Sequence, residues 1–496
     1  MVKLPVAAAL LWFAGASMAL AATPPLIDAV KAGDDAQVAA LLGKGADVKA
    51  KDSEGATALL WAAHNEDVEL VRKLLAAGAD PKAANDYGAV PLAEAAVTGN
   101  AEVIGMLLNA GADVESANAE GQTALMVTAR TGKIDAAKLL LAKGANVNAV
   151  ERWGGQTAVM WAAAQQQPEM IAMLIAAGAK LDTRGAVHDW ERRVTAEPRP
   201  KDMYRGGFTA LLYAAREGCI ECAKALVKGG ASVNLPDPDG ETPLLTALLN
   251  QHFELAQYLI LAGADLNRWD LYGRSPLYVA VDMNILPEGG RADLPSEEKI
   301  TGLDVAKNLL EKGANPNLQL KLRPPYRNVV FDRGGDFVLS TGTTPLMHAA
   351  KVGDAKAVAL LIQYKALLDL PTATGVTPVM AAAFMGQSAN PSRGRWKTEA
   401  DGVACLKLLL DAGANVNART PQGQTALHVA AQRGFNDMVK FLAEHGADLT
   451  VKDADGRTAV DYATGIQPPT GPKPDPHKET VALLGQLMTA SGPAKK

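Results

Sequence analysis

Residues 423–449 read "GQTALHVAAQRGFNDMVKFLAEHGADL", and residues 55–81 say almost the same thing, "GATALLWAAHNEDVELVRKLLAAGADP". The letters specify a small unit. Thr425 is a helix-capping residue type, with a hydroxyl that can accept an amide of the first turn. In other copies Pro243, Pro276, Pro345 and Pro378 fit the first helical position, where no N–H is needed. Leu427, Ala430 and Ala431 stand at i, i+3 and i+4, an apolar stripe whose small residues let another helix approach closely. Met438, Phe441 and Leu442 repeat that spacing on a second helix. Gly446 offers a left-handed stop, and Ala447-Asp448 lead into a turn. One unit is therefore helix, turn, helix and hairpin-like loop.

The unit recurs with a fixed period. Gly55, Gly88 and Gly121 stand 33 residues apart, as do Gly207, Gly240 and Gly273, and the pairs Gly342/Gly375 and Gly423/Gly456. Two short helices bury too little apolar area to offset their own chain entropy, so each unit must lean on its neighbours. About twelve units begin near residues 24, 56, 89, 122, 156, 208, 241, 274, 343, 376, 424 and 457. The period, the phrases "TALHVAA", "TPLLTAL", "TPLMHAA" and "TPVMAAA", and the "GAD" or "GAN" that follows each resemble the ankyrin-repeat family over about residues 24–465. The resemblance implies an all-α fold, an α-solenoid of about twelve stacked repeats. It also implies a partner surface made of a concave groove and projecting finger loops between repeats.

Bulk composition agrees with a soluble, globular chain. Of 496 residues 48% are hydrophobic and 21% charged, and a net charge of −5 makes no case for a nucleic-acid partner. The first residues, "MVKLPVAAALLWFAGASMALAATPP", carry one Lys, an apolar run and small residues, which reads as a signal peptide over 1–21 cleaved after Ala21. The expected destination is periplasmic or secreted, with no membrane span after cleavage. The repeat array is placed at 22–465, a Pro-rich link at 466–477, and a C-terminal helix and tail at 478–496.

Four short insertions interrupt the array. Two, near 183–206 and 318–342, fall in the loops between units, and two, near 285–301 and 387–401, fall in the turn between a unit's helices. The interunit pair share Pro-Arg clusters, aromatics and a closing Arg-Gly-Gly, and both are net positive. Trp190, Arg192, Arg193, Arg199 and Tyr204 in the first are candidate partner contacts. So are Arg323, Tyr326 and Arg327 in the second, and Trp396 in the last insertion. These segments either clamp an extended or acidic ligand or are solvated surface loops.

A second candidate surface lies on the first helix of the unit. Trp61, Trp161, Tyr213 and His348 precede the paired small residues, and one turn later come His64 and Asn65, or Arg216 and Glu217. By resemblance the later positions face the groove. Exposed aromatics and Arg are the residues of interface hot spots. Alternatively, the aromatics pack between repeats as core.

Chemistry is sparse. No metal-ligand spacing, nucleophile elbow, phosphate loop or dinucleotide fingerprint occurs, so no catalytic residue, cofactor or metal is assigned and the chain is read as no enzyme. Cys219 and Cys222 form a lone C-x-x-C with Cys222, like Cys405, at an apolar core position. Ordinary packing is the reading adopted for them, with a local disulfide open to the pair in an oxidising compartment and a redox or metal role as the alternative. By resemblance His428 makes a structural hydrogen bond between neighbouring loops. The expected function is a scaffold binding an envelope or extracellular protein. The alternative is a cell-wall glycan or another polyanion, held by aromatics and the Arg-rich insertions.

Overall fold

The computed structural model describes residues 23–118, 120–188, 205–284, 298–322, 341–385, 397–465 and 475–490. The leader, most of each insertion and most of the Pro-rich link lie outside these residues, as do Trp190, Arg192, Arg193, Arg199, Tyr204, Arg323, Tyr326, Arg327 and Trp396. The chain divides into two compact units, Met1–Trp153 and Gly154–Lys496.

The first unit holds four helix pairs: α1 (Pro25–Ala32) with α2 (Asp35–Gly43), α3 (Ala58–His64) with α4 (Val68–Ala76), α5 (Pro91–Thr98) with α6 (Ala101–Asn109), and α7 (Ala124–Thr131) with α8 (Ile134–Ala142). The second holds eight. Its first four are α9 (Ala158–Ala164) with α10 (Pro168–Ala176), α11 (Ala210–Glu217) with α12 (Ile220–Lys228), α13 (Pro243–Leu249) with α14 (Phe253–Leu261), and α15 (Pro276–Asn284) with α16 (Gly302–Glu311). The rest are α17 (Pro345–Val352) with α18 (Ala355–Gln363), α19 (Pro378–Ala382) with α20 (Glu399–Asp411), α21 (Ala426–Gln432) with α22 (Asn436–Glu444), and α23 (Ala459–Ala463) with α24 (Lys478–Ala490). The fold is an all-α solenoid. Backbone pairing outside helices is limited, among the described residues, to isolated bridges.

The capping letters act as expected. The Thr57 hydroxyl accepts from Leu60 N at 3.3 Å, and the Thr344 hydroxyl from Met347 N at 3.1 Å. Within each unit, first helices pack on first helices and second helices on second helices, as α3 does on α5 and α4 on α6. The small residues are fully buried at these contacts, Ala62, Ala63, Ala430 and Ala431 among them. A buried Leu such as Leu74 contributes roughly 1.5–3 kcal/mol, and most of that comes from the neighbouring repeat. On α22 the buried stripe is Met438, Val439 and Leu442, whereas Phe441 is half-buried with its ring 4.0 Å from that of His445. This corrects the expected spacing. A second helix is wedged between its own first helix and the second helices on either side, so positions i and i+1 are covered together.

Two ladders tie repeats within a unit. At the fingers a backbone bond crosses several of the junctions, as in Asp86 N to Glu54 O at 2.9 Å and Ala454 N to Gln422 O at 2.8 Å. Gly55, at φ 75°, permits the first of these, since a Cβ there would meet Asp86 N at 2.9 Å. At the other ladder Asn234 accepts from Asp265 N, Asn267 from Asn315 N, Asn317 from Leu367 N and Asn417 from Asp448 N, all at 2.7–2.8 Å. The Asn317 bond spans the insertion at 318–342, so that insertion is bypassed rather than intercalated. α24 packs on α22 and α23, in the place of the second helix of the last pair.

Candidate functional site

Five of the fingers are short loops built around one side chain that accepts the amides two and four residues on. Asp52 accepts Glu54 N and Ala56 N, Asn85 accepts Tyr87 N and Ala89 N, and Asp270 accepts Tyr272 N and Arg274 N, all at 2.8–3.0 Å. Asp237 and Asp453 do the same. These acceptors hold the loop rigid and leave the residue after them at the tip.

What differs between fingers is how the charge is compensated. Asp52 faces Lys31 Nζ at 2.8 Å; burial alone would raise its carboxyl, but the Lys31 ammonium and the loop amides pull it down to about 2. Arg274, itself buried, binds Asp270 at 2.5 Å and Glu241 at 3.0 Å. Arg457 plays the same part for Asp453, whose carboxyl is held far below the usual range although burial opposes it. Among the described residues no Lys or Arg pairs with Asp237 in this way. Burial raises it, the nearby Glu241 carboxylate raises it further, and it rests at about 7.

The tips carry side chains that the sequence reading did not single out. Trp153 is 70% exposed, Tyr87 65% and Trp269 50%. Trp269 does not stand alone. Lys321 N and Leu322 N both donate to Tyr272 O, Lys321 Nζ lies 5.9 Å from the Trp269 ring, and Leu271 and Leu322 are exposed on these paired segments. Leu271 directly follows the loop acceptor Asp270 and Tyr87 stands two residues after Asn85, both inside a finger turn, and that was the available signal.

Both interunit insertions spring from paired bases. Gly185 N donates to Phe208 O, Gly207 N to Ala186 O and His188 N to Arg205 O at 2.8–2.9 Å. At the other, Leu320 N donates to Thr343 O and Gly342 N to Leu320 O at 2.8–3.0 Å.

The helix-one candidates divide. Trp61 is half-buried, its indole N–H donating to Asp52 Oδ2 at 3.1 Å, with Lys31 Nζ 4.4 Å from the ring. Trp161 and Tyr213 are also half-buried, and the Tyr213 hydroxyl pairs with Gln156 Nε2 at 2.5 Å. Arg216 lies against the Tyr213 ring, 5.0 Å from its centre, and donates to Glu217. His64 and Asn65 are exposed, with His64 Nδ1 2.9 Å from Glu94 Oε2. In α15 and α17 the same face is buried. Asp282 and His348 lie 3.0 Å apart, and Lys351 is only 1% exposed. His428 has the structural role expected, with Nδ1 on Thr425 and Nε2 3.3 Å from Arg457 O in the next finger, and burial lowers its pKa. Among the described residues no group of His, Cys, Asp and Glu is placed to hold a metal, and no helix is long and apolar enough to cross a membrane.

A family model described as "Ankyrin repeats (3 copies)" matches residues 26–118, 112–184, 211–320 and 299–390. Models described as "Ankyrin repeat" and "Ankyrin repeats (many copies)" match 374–421 and 409–463. Among curated proteins, E3 ubiquitin-protein ligase KEG of Arabidopsis thaliana is 24% identical over 52% of this chain and 18% of its own length. Nuclear factor NF-kappa-B p105 subunit of Gallus gallus is 31% identical over 33% of this chain and 14% of its own. Inversin of Mus musculus is 35% identical over 27% and 11%. The chain thus spans less than a fifth of each of these relatives. Repeats of this kind are scaffolds for protein–protein interaction. With matches running from 26 to 463 and twelve helix pairs built from one set of letters, the chain belongs to the ankyrin-repeat family.

Proposed function

We propose that this chain is a non-enzymatic scaffold that binds a protein of the cell envelope or extracellular space, and that residues 1–21 direct it to the periplasm or beyond. The exposure of Trp153, Tyr87 and Trp269 on stiffened finger loops carries the reading. A rigid, solvated aromatic loses little rotamer entropy on binding and gains a large apolar contact, which is how hot spots arise. Val150, Leu271 and Leu322 are exposed beside these aromatics. Branched aliphatics suit the apolar side chains of a protein better than the polar face of a sugar. The insertion fingers, basic and rich in Arg, set register along the partner, while His64 and Asn65 add contacts from helix one.

The test is affinity capture. The chain lacking residues 1–21 is immobilised and incubated with the envelope fraction of its own cells at low and moderate salt. A small set of proteins retained at both salts supports the scaffold. Retention of wall fragments or polyanions, lost as salt rises, would replace it with glycan or polyanion binding.

A further inference from the structure

Cys219 and Cys222 are joined by a disulfide within the first turn of α12. The bond closes a loop three residues long and ties together no two distant segments, so it removes little entropy from the unfolded chain. The other helix pairs form without one. A bond that staples so little points to chemistry rather than stability.

The position favours reduction. Cys219 is the N-cap of α12, and its sulfur accepts from Cys222 N at 3.2 Å. In other repeats the same place is held by a good acceptor: Asp67 takes Leu70 N at 2.9 Å, Asn100 takes Val103 N at 3.2 Å, and Asp354 takes Ala357 N at 3.0 Å. A disulfide sulfur is a weak acceptor. A thiolate there is an anion held by the helix amides and dipole, as the Asp67 carboxylate is. Reduction therefore turns a poor cap into a strong one. Glu221, between the cysteines, is turned to Lys224 at 2.7 Å, so its charge does not stand alone against such an anion. Cys222 is fully buried at a position held by Ala136 in α8 and Ala357 in α18, and a thiol fits there without repacking. Of the two sulfurs only that of Cys219 belongs to a residue with any exposure, 8%.

We propose that Cys219–Cys222 is an exchange-active disulfide that oxidises dithiols. A thiolate of the incoming dithiol attacks Cys219 Sγ, the Cys219–Cys222 bond breaks, and Cys222 leaves as a thiolate within the first turn of α12 and takes up a proton. The second thiol of the substrate, deprotonated, then attacks the substrate's own mixed-disulfide sulfur and releases the Cys219 thiolate. Two electrons and two protons pass from the dithiol to the cysteine pair, and the substrate becomes a disulfide.

The experiment uses the full chain, equilibrated in mixed reduced and oxidised glutathione, trapped with a maleimide and weighed. The proposal expects a mixture of one-thiol and three-thiol protein, because Cys405 keeps its thiol in both forms. In the reduced protein it expects Cys219 to alkylate at about pH 6 at least about tenfold faster than the same residue in the urea-unfolded chain, with Cys222 and Cys405 protected. In Cys222→Ala, which keeps a side chain found at that position elsewhere, Cys219 should accumulate a mixed disulfide with glutathione. A pair that stays fully oxidised across the glutathione series, or a Cys219 no faster than in the unfolded chain, would overturn it.

Discussion

The indole nitrogen of Trp61 donates to Oδ2 of Asp52, nine residues earlier, at 3.1 Å. The last repeat repeats the relationship, where the Tyr462 hydroxyl donates to Asp453 Oδ2, again nine residues back, at 2.8 Å. In both, the first helix reaches into its own finger and fastens the carboxylate around which the loop turns. Finger rigidity, and with it the aim of the tip residues, is thus set partly from the helix.

Trp61→Phe keeps a ring beside Lys31 and removes the N–H. Unfolding in urea should show a loss of about 1 kcal/mol, the ordinary worth of one hydrogen bond. An unchanged midpoint would mean the bond contributes nothing to the fold.

Arg274 sits 6% exposed between Asp270 and Glu241. Arg274→Met leaves Asp270, itself buried, without its cation and should cost about 3–5 kcal/mol. Adding Asp270→Asn should restore most of that, because Asn85 already holds an equivalent loop with the same two amide bonds. Additive losses in the double variant would contradict this account of the finger.

Asp237 gives the opposite sign. Its folded pKa of about 7 lies above its ordinary value of 3.8, so the folded state holds the proton more tightly than the unfolded one. The stability it contributes is fully present below pH 3.8 and is lost as pH rises through 7. Asp237→Asn should therefore stabilise the chain at pH 8 by on the order of 1–3 kcal/mol and leave it unchanged near pH 3. Thermal melts of both proteins across that range decide it, and equal melting at pH 8 would show that the carboxyl is not so shifted.

Much of this was legible because a repeat states each rule many times. Thr before an apolar run, paired Ala and a later Gly gave the helix pairs and the caps. What escaped was set by partners far along the chain. Lys397 reads as a surface residue between Trp396 and Thr398, yet it is buried, donating to Ala381 O and Ala382 O at 3.0 and 2.5 Å and closing α19. Asp282 and Lys351 are buried at the position that exposed His64 holds in α3, and no local letter distinguishes them. Trp153 and Trp269 lie outside the helices and the insertions that hold the candidate aromatics. Their place in the finger turns was a sufficient signal.

The central claim is that the finger tips bind a protein, and the patch of Trp269, Leu271 and Leu322 allows the most direct test. The dissociation constant of the captured partner should be measured for the wild-type chain and for the triple variant Trp269→Ser, Leu271→Ser, Leu322→Ser, with thermal melts of both. The account predicts an unchanged melt, since these side chains are exposed, and binding weaker by about tenfold or more, roughly 1.4 kcal/mol. Equal affinity in the two proteins would contradict it.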